Sequence, residues 1–245
     1  MLALDFSYLI PTRVDETGIF EILDDRGRQL RYDTPRVRFI NPPPFEPVPT
    51  IDWLWTDRIP KGRVMVIEGP AGAGKTFLTS HLTALVTSGA PWGDGPEGPQ
   101  LAGEVLYYCS ERESTDVVSP RVMRGGADVL RVIFRSDVDM CDSVTGPLGT
   151  RTMEFRQDLN MLEHDLKGCP ATRLVVIDPL RDFCATPRLM RKALAVLDNL
   201  AARYKVAIVV TIQADVRFTP EGQIRHVPRP WDEAARYVWC VTRDP

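Results

Sequence analysis

The sequence predicts an α/β fold in which a mostly parallel central sheet is covered by helices on both faces. Three observations support this prediction. Apolar strand-like runs alternate with helical segments throughout residues 51–245. The runs at 174–177 and 206–210 are apolar on both faces, as central strands of a parallel sheet are. A glycine-rich turn also joins one strand to one helix. A chain of 245 residues with 44% hydrophobic content can form one such domain and a small appendage, predicted at residues 1–50.

The N-terminal fifty residues are predicted to form a β-rich arm followed by a linker. Alternating apolar residues at 19–23 and 29–32 flank a polar turn, which predicts a β-hairpin. The run NPPPFEPVP at 41–49 is held extended by its prolines and is typical of a semi-rigid linker. The arm either packs on its own domain or, through a residue such as Phe45, contacts a neighbouring subunit.

Each further element follows from its hydrophobic period and its flanking turn residues. Strands are predicted at 64–67, 104–109, 129–134, 174–177, 206–212 and 236–241. Helices are predicted at 77–89, 117–124, 152–166 and 189–204.

The most specific motif is GPAGAGKT, which fits G-x-x-x-x-G-K-[ST] and lies between a predicted strand and a predicted helix. Its glycines allow consecutive N–H groups to point inward at a helix N-terminus, which forms an anion-binding nest. Lys75 is expected to contact the β- and γ-phosphates of ATP, and the Thr76 hydroxyl to ligate Mg²⁺. The predicted nucleotide-binding residues are Gly69, Pro70, Ala71, Gly72, Ala73, Gly74, Lys75, Thr76 and Phe77.

Polar residues that end other predicted strands supply the rest of the predicted site, because ligands gather at the carboxyl edge of open α/β sheets. Asp178 closes the strand RLVVID and is expected to reach the Mg²⁺ or its water, although Asp-Pro also begins ordinary turns. Glu111 is the predicted catalytic base that orients the attacking water, and Glu113 is an alternative. Gln213 is predicted to be a buried amide that senses the γ-phosphate or simply ends its strand.

Four blocks carry a family resemblance: DRIPKGRVMVIEGPAGAGKT, GAPWGDGPEGPQLAGEVLYYCSERE, VVIDPLRDF and VAIVVTIQAD. From about Trp53 to Asp244 the chain resembles the RecA-like P-loop NTPase core of the RepA-type hexameric replicative helicases and their AAA_25 relatives. The resemblance implies ATP hydrolysis with Mg²⁺, a hexameric ring and Glu111 as the catalytic base. Family members usually continue further and place an arginine in the adjacent subunit's site, for which Arg236 and Arg243 are the candidates here.

DNA contact is predicted locally, because a net charge of −3 and a pI near 5.7 provide no overall basic surface. The segment 215–231 follows the predicted sensor and holds Arg217, Arg225 and Arg229. Repeated around a ring, it would line a pore that tracks the phosphates of single-stranded DNA, or it is an ordinary solvated loop. The tryptophans of the nucleotide half, Trp53, Trp55 and Trp92, either stack on adenine or pack in the core.

Three functions therefore stand as expectations. They are a ring-forming, DNA-stimulated ATPase or helicase, a minimal recombinase or annealing protein that forms filaments on single strands, and a nucleotide-regulated scaffold without DNA contact. A homo-oligomer is expected in the first two. No apolar run approaches the roughly 20 residues that span a bilayer, and the N-terminus lacks the basic region of a signal peptide, so a cytoplasmic protein without membrane contact is expected.

Overall fold

The chain divides into two compact units, Met1–Pro49 and Thr50–Pro245. In the first unit, strand β1 (Ile22–Leu23) pairs antiparallel with β2 (Gln29–Leu30), which is the predicted hairpin. The predicted linker lies outside the described residues. A computed structural model describes residues 22–23, 29–30, 51–93, 100–109, 114–142, 146–214, 217–218, 224–225, 229 and 234–242.

The second unit is built on one parallel sheet of six strands. The described strands of this unit, inside and outside that sheet, are in chain order β3 (Trp53–Trp55), β4 (Ile59–Pro60), β5 (Val64–Gly69), β6 (Glu104–Tyr108), β7 (Val132–Arg135), β8 (Asp137–Asp142), β9 (Gly146–Thr152), β10 (Thr172–Ile177), β11 (Ala207–Gln213), β12 (Arg217–Phe218), β13 (Ile224–Arg225) and β14 (Tyr237–Cys240). The sheet order is β14-β5-β11-β10-β6-β7, and every neighbouring pair is parallel. The remaining strands form three antiparallel pairs, β3–β4, β8–β9 and β12–β13.

Helices cover both faces of the sheet, and alternate residues of each central strand point into one of two apolar clusters. The helices are α1 (Lys75–Ser88), α2 (Ser119–Arg124), α3 (Phe155–Gly168), α4 (Leu180–Phe183) and α5 (Pro187–Tyr204). On one face α1 and α2 cover residues such as Met65, Tyr107 and Val176. On the other face α3, α4 and α5 cover residues such as Val66 and Tyr108. This layered parallel sheet is consistent with a RecA-like α/β P-loop fold, so the predicted fold class is confirmed.

Two predicted boundaries are wrong, each for its own reason. The helix predicted from residue 152 begins at Phe155, because residues 146–152 form β9 and pair with β8. The strand predicted from residue 129 begins at Val132, because Val129–Arg131 form a 3₁₀ turn whose entry is capped by the side chain of Asp128. Strand pairing decided the first boundary, and a polar side-chain cap decided the second. Hydrophobic periodicity gives no signal for either.

An aromatic cluster packs beside the edge strand β14. The rings of Trp55 and Trp92 stack with centroids 4.8 Å apart, and Trp239 meets Trp55 edge-on at 5.8 Å. Trp92 is buried and its indole N–H donates to the carbonyl oxygen of Leu54 at 3.1 Å. Of the two predicted roles, Trp55 and Trp92 therefore show core packing, whereas Trp53 is half-buried and meets the ring of Tyr237 edge-on. None of the helices in the described ranges is both long and apolar enough to cross a bilayer.

Candidate active site

The phosphate-binding loop connects β5 to α1 and leaves the start of the helix open. Gly72 and Gly74 have φ values of 71° and 99°, a left-handed backbone that glycine adopts without strain. Gly74 precedes α1, and no side chain caps the helix there. The first-turn N–H groups are thus available to an anion. A Cβ added at Gly74 would meet no described atom within 4 Å, so the space above the loop is open.

Lys75 lies across this loop. Its Nζ donates to the carbonyl oxygens of Gly69 at 2.9 Å and Pro70 at 2.8 Å. Burial lowers the pKa of the Lys75 amine from its ordinary value, and the negative charge of Asp178 opposes that shift. Among the described residues, the hydrogen-bond partners of the amine are main-chain carbonyls, which it can exchange for phosphate oxygens, so Lys75 is suited to phosphate binding.

Asp178 follows β10 and is buried, with 4% of its surface exposed. Its Oδ2 accepts hydrogen bonds from the hydroxyls of Thr79 on α1 and Tyr107 on β6, each at 2.9 Å. Its Oδ1 accepts a short hydrogen bond from the hydroxyl of Thr211 on β11. Burial and the neighbouring Asp178 charge raise the pKa of Tyr107 well above its ordinary value, so the phenol stays a donor.

The hydroxyl network connects Asp178 to the predicted metal ligand. The Thr79 hydroxyl also contacts the carbonyl oxygen of Thr76 at 3.1 Å, and the Ser80 hydroxyl donates to the same oxygen at 2.7 Å. The Thr76 backbone is thereby fixed beside Asp178. Hydroxyl and carboxylate oxygens are the ligands that Mg²⁺ prefers, and this ion usually keeps several waters. Because three protein donors already occupy Asp178, its carboxylate fits an ion held through a water molecule.

The remaining predicted catalytic residues are placed less completely. Glu111 and Glu113 lie outside the described residues, in the segment that follows β6. Gln213 ends β11 opposite Gly69 of β5, at the same sheet edge as the loop. It is the last residue of its strand and is exposed rather than buried. The expectation of a buried amide is therefore wrong, and its sensor role stays a prediction.

The predicted arginines occupy different environments. Arg217 and Arg225 occupy paired positions of the short hairpin β12–β13, within a segment expected to be a loop. Arg236 is exposed and immediately precedes β14, whereas Arg243 lies outside the described residues. Arg229 departs from the expected solvent-facing position, because only 14% of its side chain is exposed and its Nε lies 3.4 Å from Oε2 of Glu68. Sequence reasoning missed this partner, a buried carboxylate directly before the phosphate-binding loop.

A pocket of about 310 Å³ opens beside the first turns of α1. Its lining residues are Phe77, Ser80, His81, Arg121, Arg124 and Gly125. Phe77 has 67% of its surface exposed. A Cβ at Gly125 would stand 2.9 Å from Cβ of Ala84, so the glycine permits α2 to approach α1 closely. The pocket thus lies along the first turns of α1 and offers both aromatic and cationic groups.

Together, the parallel sheet, the open glycine loop and the buried Asp178 after β10 define a P-loop ATPase core. The sequence model of the AAA_25 family, an AAA domain, matches residues 31–216. The chain therefore belongs to this family of nucleotide-hydrolysing ATPases. No match was found among curated proteins. The matched span ends before β14 and before Arg229.

Proposed function

We propose that this protein is an oligomeric motor of the helicase or translocase kind, whose ATP hydrolysis is stimulated by single-stranded DNA. ATP hydrolysis is supported mainly by one observation: the phosphate-binding loop follows β5, and Asp178 follows β10, two strands away at the same edge of the sheet. Family membership supports nucleotide hydrolysis. The resemblance of four sequence blocks to RepA-type helicases supports the motor role.

In the proposed reaction a water molecule attacks the γ-phosphorus in line with the bond to the bridging oxygen of ADP, and that bond breaks. Lys75 would exchange its carbonyl partners for phosphate oxygens and hold them in place. Thr76, and Asp178 through a water, would hold a Mg²⁺ ion, which supplies positive charge opposite the developing negative charge. Glu111 would accept the proton of the attacking water.

The nucleoside would enter the pocket between α1 and α2. The pocket starts at Phe77, the residue after the predicted metal ligand, and its volume of about 310 Å³ suits a small ligand. Phe77 offers an aromatic face, while Arg121 and Arg124 offer planar cations that stack on rings.

DNA contact is supported by the positions of two arginines. Register places Arg217 directly opposite Arg225 in the hairpin β12–β13. A segment that brings two arginines to paired backbone positions offers two positive charges to a phosphate backbone. The net charge of −3 is the observation that favours the third function, a nucleotide-regulated scaffold.

ATPase turnover with and without a single-stranded oligonucleotide, at low and at moderate salt, tests the proposal. We expect stimulation by the oligonucleotide that weakens as salt rises, because phosphate contacts release counterions. Lys75→Ala is expected to abolish turnover and serves as the background for contaminating ATPases. Turnover without stimulation and without salt-sensitive DNA binding would leave the scaffold function and remove both DNA-dependent ones.

Glu111→Gln tests the assignment of the base separately. The variant is expected to bind ATP normally and to lose turnover by about 100-fold or more, because a neutral amide cannot accept the proton. Glu113→Gln is the matched control, two residues away with the same change of charge. Normal hydrolysis by Glu111→Gln would transfer the role to Glu113 or to another group.

A further inference from the structure

Glu68 is a carboxylate in an unusual place. It is 5% exposed, lies in β5 between β11 and β14, and immediately precedes the loop that binds phosphate. Consecutive Cα atoms are about 3.8 Å apart, and charges interact over a Debye length of roughly 8–10 Å. An unneutralised carboxylate at this position would therefore oppose the binding of a polyanion to the first residues of the loop.

Among the described residues, two side chains contact the two oxygens of this carboxylate. Nε of Arg229 lies 3.4 Å from Oε2, and both side chains are largely buried, with 14% and 7% exposed. The thiol of Cys240 on β14 contacts Oε1 at 3.2 Å. The thiol is a weak neutral donor, so of these two described partners Arg229 is the one that carries positive charge. A buried ion is stable only when it is paired in this way.

The surrounding backbone ties this pair to the loop. The carbonyl oxygen of Glu68 accepts from the N–H of Val241 at 2.8 Å, and that of Gly69 accepts from the N–H of Ala214 at 3.0 Å. A Cβ at Gly69 would overlap the carbonyl oxygen of Val241, so the strands approach closely here. The charge of Glu68 is thus held in a fixed place next to the loop.

We propose that Arg229 is a positioning residue of the nucleotide site, which neutralises Glu68 and so allows the adjacent loop to bind the phosphate chain of ATP. The inference rests on the proposed nucleotide binding. It assigns Arg229 a role at the phosphate loop instead of the predicted DNA contact. Arg229 lies beyond the span matched by the family model, whereas Glu68 lies within it.

Equilibrium binding of ATP, ADP and AMP to three variants tests the proposal. Arg229→Gln is expected to weaken ATP binding about fivefold, ADP binding less and AMP binding least, because the repulsion from Glu68 grows with ligand charge. The double variant Glu68→Gln with Arg229→Gln is expected to bind ATP within about twofold of the wild type, since it has neither charge. Arg203→Gln is the matched control, because it makes the same change in another arginine–glutamate pair, Arg203 with Glu163, which is more exposed and includes no residue of the phosphate loop.

An equal loss for all three nucleotides, or no recovery in the double variant, would show that Arg229 acts only through structure. If Arg229→Gln does not fold, Glu68→Gln decides the question. Glu68→Gln removes the negative charge while Arg229 remains, so tighter ATP binding than wild type is expected, and a folded variant with equal or weaker binding overturns the inference. Absence of nucleotide binding by the wild type would instead refute the proposed function itself.

Discussion

Asp178 receives hydroxyl hydrogen bonds from three separate elements. Tyr107 and Thr211 come from β6 and β11, the two strands that flank β10, and Thr79 comes from the helix above them. A carboxylate with donors on three sides cannot rotate freely, and partners that orient a metal-associated ligand affect metal affinity and activity. Tyr107 and Thr211 are therefore expected to matter for turnover although neither is expected to touch the nucleotide.

Tyr107→Phe tests this role. Removal of the hydroxyl leaves Asp178 with one donor fewer, so turnover is expected to fall about tenfold while ATP binding is retained. The free energy of unfolding is expected to fall by about 1–2 kcal/mol, because a buried carboxylate loses a hydrogen bond. Steady-state kinetics over a range of Mg²⁺ concentrations and thermal unfolding measure the two effects.

Tyr108→Phe is the matched control for this experiment. Tyr108 is the next residue of β6 and points to the opposite face, where its hydroxyl donates to Asp165 at 2.7 Å. The control is expected to lose stability but to keep its turnover. Equal kinetic losses in both variants would mean that the effect arises from the sheet and not from Asp178.

The sequence predicted those site residues that a short stretch of neighbouring residues identifies. Lys75 and Thr76 belong to a motif of fixed spacing, and Asp178 directly ends an apolar strand. The pairing of Glu68 with Arg229 joins residues far apart in the chain, and no local pattern identifies such a partner. Tyr107 could have been suspected, because a tyrosine within a buried strand usually needs a partner for its hydroxyl.

At the scale of elements, a bidentate ion pair joins the end of β9 to the first turn of α3. Nη1 and Nη2 of Arg151 donate to Oδ2 and Oδ1 of Asp158, each at 2.6 Å, and the N–H of Glu154 donates to the same Oδ2 at 2.8 Å. Asp158 therefore also binds the main chain of the residue that precedes the helix. The hydrogen bonds from Arg151, together with that from Glu154, lower the pKa of Asp158 although burial opposes the shift.

This pair predicts an acid-dependent loss of stability. Because the pKa of Asp158 is lower in the folded than in the unfolded protein, its contribution is fully present above about pH 4 and is lost as the pH falls below that value. Asp158→Asn is expected to lower Tm by a few degrees at pH 7, and the difference from wild type is expected to shrink at pH 3. Thermal unfolding across this pH range measures it.

Asp128→Asn provides the control, because Asp128 pairs with Arg131 on the surface, where both side chains are 42% exposed. An exposed pair contributes little, and asparagine keeps the cap of the 3₁₀ turn, so little change is expected at either pH. A constant difference between Asp158→Asn and wild type down to pH 3 would contradict the assigned pKa direction.

The sheet and its large helices followed from hydrophobic periodicity, since central strands such as β10 and β11 are continuously apolar. The hairpin β8–β9 did not, because its strands are rich in polar residues and glycine and alternate weakly. Its pairing depends on contacts between two segments that each lack a strand signal of their own. Periodicity therefore found the core and missed the hairpin that carries Arg151.

For the whole molecule, the mode of assembly distinguishes the two DNA-dependent functions. Particle-mass measurement with a non-hydrolysable ATP analogue and a single-stranded oligonucleotide is expected to give a discrete species of about six times the 27.6 kDa subunit. Head-to-tail contacts that close produce a ring of fixed mass, whereas contacts that do not close produce filaments of increasing mass. The same measurement without nucleotide is the control.

Masses that grow continuously with the length of the oligonucleotide would favour the recombinase-like alternative. A monomer under all conditions would contradict both. The sequence indicated the ATPase class because the glycine-rich motif and the polar residues that end later strands follow one another in a fixed order. It could not indicate assembly, since subunit contacts depend on surface shape, and the basic segment that suggested DNA binding carries at least one arginine, Arg229, that is paired inside the subunit.

One strand, β11, separates the strand that carries the phosphate loop from β10, the strand that Asp178 follows. Hydrogen-bonded strands keep a spacing of roughly 4.8 Å, so the two halves of the site stand about 10 Å apart across the ladder. Main-chain hydrogen bonds between the strands set this distance. Core residues of β11 such as Val209 can change in size and alter stability while the width of the catalytic cleft is preserved.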